Sequence, residues 1–427
     1  MTVRSCIPMS SPDITPAEIE AVNQVLRTPY LSLGPCIAEF EERFAAYVGA
    51  RHAVGVSSGT AGLHLCVIAA GVGEGHLVIT TPFSFVSSAN VILYERAIPV
   101  FVDIDPKTLN IDPTLVAEAV EALTNDQRAT TNDRWLPRAI RNSQFTIRNL
   151  KAILPVHAFG QPVDMDAINA VAREYGLAVI EDACEALGAE YKNRRIGTPN
   201  SQFPVFAFYP NKQITAGEGG MIVTDRDDWD ALFRSLRNQG RDVFDTWLSH
   251  SRLGYNYRLD EMSAALGLAQ LGRIEELLAK RERVAQMYNQ RLKDVDGVQI
   301  PYVAPTTTRM SWFVYVIRLA TEIDRNAVMT ALKERGIPSR PYFTPIHLQP
   351  FCREMFGYKE GDFPITETVA RSTLALPFSS VMTEQQVEYV CEHLVAVLIA
   401  IRSRPPNPPR LGGTGTPPKI GGLGGLT

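Results

Sequence analysis

Short, almost wholly apolar runs alternate along this chain with amphipathic stretches. Leu77 to Thr80, Pro99 to Val102, Ala152 to Val156, Ala178 to Glu181, Val205 to Phe208 and Met221 to Thr224 read as strands, and helical patterns such as Met165 to Tyr175 and Trp229 to Arg237 lie between several of them. Strands covered on both faces lose the in-and-out alternation of a half-buried sheet, so this texture predicts a mainly parallel sheet with helices on either side. With 427 residues, the chain has room for two or three domains of roughly 100 to 200 residues each.

The flanks have a different pattern. Thr15-Pro16-Ala17-Glu18 predicts a helix start, with Thr15 capping, Pro16 in the first turn and Glu18 completing a capping box, and the helix is expected to reach about Leu26. After Asn256 come the long helical patterns Asp260 to Leu271 and Ile274 to Leu292. A strand at Trp312 to Leu319 and helices near Arg325 to Arg335 and Glu384 to Ile401 then read as a small α+β domain. The expected division is a large domain at 1–255, linking helices with the small domain at 256–403, and a tail at 404–427. Residues 124–149, with five Arg and two Asp and weak periodicity, read as an exposed insertion. The tail has six Pro and seven Gly in 24 positions and is expected to be disordered.

Composition removes several functions. A net charge of −4 provides no cationic excess for nucleic acid or for an anionic membrane surface. The six cysteines lie far apart with no metal-site spacing, so no metal is expected, and reduced thiols are the ordinary reading. No apolar run approaches the ~20 residues needed to span a bilayer, and the first residues do not read as a secretory signal, so a cytoplasmic location is expected.

Five segments carry chemistry. Ser57-Ser58-Gly59-Thr60-Ala61 is a small-residue turn feeding a helix, whose free N–H groups suit a phosphate. Val179 to Glu185 is an apolar strand that ends in Glu181 and Asp182, where open α/β sheets place their ligands. In Phe206 to Gly220, Lys212 follows a strand among aromatics, Pro and Gly, which would desolvate its amine and leave it nucleophilic. Thr81 to Asn90 places Phe85 just past a strand end, where a flat ring could stack. Gly254 to Asp260 is a polar and aromatic lead-in to a helix. Taken singly, each has an ordinary structural reading: a capped helix, a capping Asp, a solvated lysine, core packing, a lead-in.

Taken together and in order, the five resemble the DegT/StrS family of sugar aminotransferases, over roughly Ile14 to Ile401. The resemblance implies the pyridoxal phosphate-dependent transferase fold of the aspartate aminotransferase type, with pyridoxal 5'-phosphate as cofactor. By position, Lys212 matches the lysine that binds the cofactor's aldehyde and then moves the substrate proton. Asp182 matches the acid facing the pyridine nitrogen, and Phe85 the ring stacked on the pyridine. Ser58, Gly59, Thr60 and Ala61 match the phosphate turn. Asn256 and Arg258 match residues that reach the phosphate in the neighbouring subunit, which implies a homodimer with shared active sites.

The implied activity is transfer of an amino group from L-glutamate to a nucleotide-linked 4-keto-6-deoxy sugar, for an amino sugar of a polysaccharide, O-antigen or glycosylated metabolite. Arg340 and His347, in the small-domain loop, are candidate substrate contacts, and His157, just past a strand end, is a further candidate. Two positions depart from the family pattern. Many members have His or Gln where this chain has Glu185, which must be protonated, turned toward a donor or paired with a cation or hydroxyl; Glu there is similar to the GDP-perosamine synthase-like branch. Ala207 stands where many members have a phosphate-binding Ser. Retention of Lys212 argues against the sugar dehydratases of the same fold, in which histidine replaces it. Lys212, Asp182 and the phosphate turn together argue against a non-catalytic regulatory protein. A dinucleotide oxidoreductase lacks its early G-x-G-x-x-G.

Overall fold

The computed structural model describes residues 7–124, 134–141, 149–198, 202–242 and 249–403. Its strands, in chain order, are β1 (His52–Val56), β2 (Leu77–Thr80), β3 (Ile98–Phe101), β4 (Leu150–Leu154), β5 (Ala178–Asp182), β6 (Glu190–Tyr191), β7 (Arg194–Arg195), β8 (Phe203–Ala207), β9 (Gly220–Thr224), β10 (Val298–Gln299), β11 (Thr307–Arg309), β12 (Tyr315–Leu319) and β13 (Thr373–Leu376). Seven of them form the central sheet in the order β1-β9-β8-β5-β4-β2-β3. Pairing is parallel from β3 through β2, β4 and β5 to β8, and antiparallel at both edges of β9. Six strands therefore run in one sense and β9 alone in the other.

The expected mainly parallel sheet is present, with β1 added to the six expected strands. Its strands are buried on both faces because neighbouring residues serve different cores. Ile79, Ile153, Val179 and Phe206 belong to one apolar cluster, while Val78, Leu154, Ile180 and Val205 belong to the other. The first helix, Pro16–Leu26, has the expected capping box between Thr15 and Glu18. It lies against helix Glu261–Leu271, whose Glu261 carboxylate accepts the N–H groups of Gly34, Cys36 and Ile37 at the start of helix Pro35–Val48.

The smaller α+β unit has the antiparallel sheet β10-β12-β13, with helices Ile274–Leu292, Arg325–Glu334 and Glu384–Arg402 around it. Two placements cross the expected division after residue 255. Ile7 is buried in the small unit's core, and β11 pairs with β6 beside the large sheet.

Residues 134–141 correct the expectation of an exposed insertion. Trp135, Leu136 and Ile140 are buried in the main core, and Arg138 bonds Asp362 at 2.6 Å. Three apolar side chains cannot be left in water without cost, and the long-range ion pair places them. The remainder of that segment and the tail 404–427 lie outside the described residues. All five described cysteines are free thiols. No described group of His, Cys, Asp and Glu is arranged to hold a metal ion, and no described helix is long and apolar enough to cross a membrane.

Candidate active site

Because β1, β2, β4, β5 and β8 point the same way, the residues that follow them emerge at one edge of the sheet, and reversed β9 enters from that edge. There a cavity of about 500 Å³ opens. Ser58, Gly59 and Thr60 reach it from β1, Phe85 and Ser87 from β2, Val156 from β4, Asp182, Cys184 and Glu185 from β5, and Ala207, Tyr209, Asn211 and Lys212 from β8. Glu218 and Gly219 precede β9, and Phe313, Tyr342 and Phe343 come from the smaller unit.

One wall is the turn into helix Gly59–Ala69. Ser58 Oγ accepts the Ala61 N–H at 3.0 Å, and Thr60 Oγ1 lies 2.8 Å from Ser87 Oγ. Gly59 and Thr60 provide the remaining N–H groups of this first turn, at the positive end of the helix dipole. The turn is held close to the sheet. A Cβ on Gly59 would meet Cys184 Sγ at 2.7 Å and Ala207 Cβ at 2.8 Å, and one on Gly220 would meet the Ser58 carbonyl at 2.6 Å. Glycine is required at both places by close approach, of side chains at Gly59 and of backbone at Gly220, and not by dihedral freedom.

The floor carries the titratable groups. Burial pushes the Asp182 carboxyl above its ordinary range, while hydrogen bonding from Cys184 and the charge of Lys212 pull it back. Asp182 Oδ1 accepts the Cys184 N–H at 3.1 Å. Glu185 is raised to about 7, chiefly by burial and further by Asp182, against the opposing effects of Lys212 and the Phe159 N–H. Its Oε2 accepts that N–H at 2.8 Å, and its Oε1 lies 3.8 Å from Lys212 Nζ. Of the three ways expected for Glu185 to be accommodated, the structure combines a readily held proton with a donor and a cation. The Lys212 amine also sits 3.9 Å from the centre of the Phe313 ring. Phe85 forms part of the rim and is 64% exposed, a flat face available to a ligand.

Lys212, Asp182, Glu185, Phe85, Ser58, Gly59 and Thr60 thus meet around one space, and buried Ala61 supports the turn from behind. Other candidates do not line it. Asn256 is exposed, and Arg258 bonds Asn238 at 2.8 Å, both outside this chain's own cavity. Exposed Arg340 donates to the Ser339 carbonyl. His347 is fully buried among Tyr358 and Phe363, with Nε2 3.1 Å from Glu367 and a pKa lowered by that burial despite Glu367. His157 is buried likewise: its Nδ1 accepts the Val163 N–H, which leaves Nε2 to donate to Glu181 at 2.8 Å. Tyr342 and Phe343, from the same candidate loop as Arg340 and His347, and Ser87, from the segment of Phe85, do line the cavity. Phe313 lines it without having been singled out from the sequence, because a distant segment brings it there.

Residues 12–395 match the DegT/DnrJ/EryC1/StrS aminotransferase family. The chain belongs to this family. It is 38% identical to the GDP-perosamine synthase of Caulobacter vibrioides over 397 residues, 92% of this chain and 98% of that one. Among solved structures, it is similar to the aminotransferase TlmJ from Streptoalloteichus hindustanus, with a TM-score of 0.81 and 29% identity over 93% of this chain and all of the other. It is also similar to the PLP-form of the sugar aminotransferase Spr1654 from Streptococcus pneumoniae, with a TM-score of 0.80 and 25% identity over 92% and 99% of the two chains.

The protein is a pyridoxal phosphate-dependent aminotransferase of the aspartate aminotransferase fold. Its cavity fits that cofactor chemically. A backbone-lined helix start suits the phosphate, a buried carboxyl suits a protonated ring nitrogen, and Lys212 provides the amine. Asn211 Oδ1, buried in the lining, has no hydrogen-bond partner among the described residues.

Proposed function

We propose that this aminotransferase takes an amino group from L-glutamate and delivers it to the keto carbon of a nucleotide-linked 4-keto-6-deoxy sugar, for an amino sugar of a polysaccharide or glycosylated metabolite. The observation that carries the reading is the make-up of the cavity. Lys212 is the one cation lining it among the described residues, beside three carboxyl groups and the rings of Phe85, Tyr209, Phe313, Tyr342 and Phe343. Carboxylates accept hydroxyl protons and aromatic faces cover C–H surfaces, so these walls suit an uncharged polyol near the reacting carbon. The likeness to a GDP-perosamine synthase supports a sugar nucleotide as the acceptor.

When bound, pyridoxal phosphate supplies an aldehyde that takes up amines and a ring that accepts the electron pair released at the neighbouring carbon. The chain provides the rest. The Lys212 amine would hold the aldehyde, and when free it would serve as general base for the proton on the substrate carbon. Asp182 holds the proton on the ring nitrogen. The turn at Ser58 to Ala61 anchors the phosphate far from the reacting atoms and so fixes orientation. Phe85 covers the ring face. Since no described arginine lines the cavity, the anionic parts of the substrates require cations from outside it. Arg340 lies on the smaller unit's loop, and the partner subunit's Arg258 and the partner subunit's Asn256 would complete the site in a homodimer.

The test is a visible spectrum of the protein with pyridoxal phosphate, before and after L-glutamate, followed by a panel of nucleotide-linked keto-sugars. Conversion of the cofactor by L-glutamate and its return by one such sugar is the expected result. A cofactor that responds to no amino donor, or returns only with acceptors that are not sugars, refutes the reading.

A further inference from the structure

Arg281, on helix Ile274–Leu292, is a guanidinium with 2% exposure. Among the described residues no carboxylate pairs with it. Instead Nη1 donates to the carbonyls of Trp312 and Phe313, both at 3.2 Å, and Nη2 to those of Asn211 at 3.1 Å and Lys212 at 2.6 Å. Among the described residues its Nε has no hydrogen-bond partner. Burial lowers its pKa to about 10, which leaves it charged at neutral pH.

We propose that Arg281 is a positioning residue for amino transfer, clamping the backbone of Lys212 to that of Phe313 across the junction of the two units. The inference rests on Lys212 being the cofactor-binding lysine.

A buried charge without a counter-ion is costly, and an apolar side chain of similar volume would generally pack at less cost. What the guanidinium offers in exchange is its planar fork, which can hold two strands of backbone at fixed separation where an ammonium cannot. The two prongs divide accordingly. One takes the lysine loop, and the other takes the segment bearing the ring over which the Lys212 amine sits. That segment is otherwise under strain, since Trp312 has φ 46°, a left-handed conformation that a bulky residue adopts only when its surroundings hold it. Neighbouring bonds complete the assembly. The Phe313 N–H donates to the Phe159 carbonyl, and Phe159 donates to Glu185. The Gln213 side chain donates to the Glu185 carbonyl and to Ser311. Lys212, Glu185 and Phe313 are therefore parts of one network, and among the described residues Arg281 is the only side chain that bonds to the backbone of both Lys212 and Phe313.

The experiment compares wild type, Arg281→Lys and Arg281→Ala. Cofactor-free protein is mixed with pyridoxal phosphate, and the rate of capture is followed together with the fraction of Lys212 carrying cofactor after borohydride reduction, read by peptide mass spectrometry. The limiting rate (kcat) and half-saturation (KM) of the first half-reaction with L-glutamate are then measured on loaded protein by stopped flow, since L-glutamate alone converts the cofactor only once. Arg281→Lys keeps the charge and most of the volume but loses the fork, and small misplacements of a reacting group cost up to about a hundredfold. Capture and kcat are therefore expected to fall tenfold or more while KM changes less, and guanidinium ion is expected to restore part of both in Arg281→Ala. Folded Arg281→Lys that captures and turns over at wild-type rates overturns the proposal, and so does a loss that follows melting temperature alone and ignores guanidinium. A wild type that carries no cofactor on Lys212 refutes the functional reading instead.

Discussion

Glu185 Oε1 and Lys212 Nζ lie 3.8 Å apart on the floor of the same cavity, each largely withdrawn from water. A buried carboxyl beside an amine that must lose its proton to attack an aldehyde is a local proton acceptor, and the Phe159 N–H fixes where that carboxyl points.

The first prediction follows from the titration of Glu185, which burial shifts from 4.5 to about 7. Between those values the folded protein holds a proton that the unfolded chain has released, so stability falls as pH rises through the window. Glu185→Gln is expected to flatten this dependence and to stabilise the cofactor-free protein at pH 8 by up to about 3 kcal/mol. Denaturant melts at pH 5, 6, 7 and 8 decide it: an unchanged slope in the variant places the effect elsewhere.

Lys212→Ala removes the proposed covalent anchor and, with it, the proposed general base. The half-reaction with L-glutamate is expected to slow by a factor of about a thousand or more, with no cofactor retained after borohydride reduction and dialysis. A variant that stays covalently loaded would show that another amine holds the cofactor.

Asp182→Asn keeps the shape of the floor but not the carboxyl group proposed to face the ring nitrogen. Loading is expected to persist, while the first half-reaction slows by about a hundredfold to a thousandfold, the usual cost of losing a preorganised electrostatic partner. Stopped-flow spectra with L-glutamate measure the two separately, and equal loss of both would indicate a structural role.

Gly59→Ala puts a methyl group 2.7 Å from Cys184 Sγ and 2.8 Å from Ala207 Cβ. The turn must shift, at a cost of about 1–3 kcal/mol for overpacking, and cofactor affinity is expected to fall with it. Titration with pyridoxal phosphate alongside thermal melts tests this; unchanged affinity would mean that the turn does not hold the phosphate.

Glu261→Ala tests the fold away from the cavity. Its carboxylate accepts three N–H groups at the start of helix Pro35–Val48, so the change is expected to cost about 1–3 kcal/mol without altering kcat. A large loss of activity at full stability would contradict a purely structural role.

Much of this was legible in the order of residues along the chain. Apolar runs mark the strands, because a strand covered on both faces has no polar side to show. Lys212, Asp182 and Phe85 could be singled out because each sits within a few residues of an expected strand end, the turn at Ser58 to Ala61 because small residues there feed a helix, and their roles followed from the resemblance of all of them together to one family. The capping box at Thr15 and Glu18 was readable for the same local reason.

Other features depend on partners far away in the chain. The reversal of β9 rests on its pairing with β1 and β8. The burial of Trp135, Leu136 and Ile140 in a charged segment rests on the core they cover. His347, though close in sequence to Tyr342, was withdrawn from the cavity by its bond to Glu367. Phe313 reached the Lys212 amine, and Arg281 the Lys212 carbonyl, across about 100 and 70 positions of chain, through the packing of the smaller unit on the larger. Residue type and local spacing select the chemistry that a strand end can perform. Which distant side chains stand over it is settled only when two cores close on each other, since contacts between remote segments leave no period in the sequence.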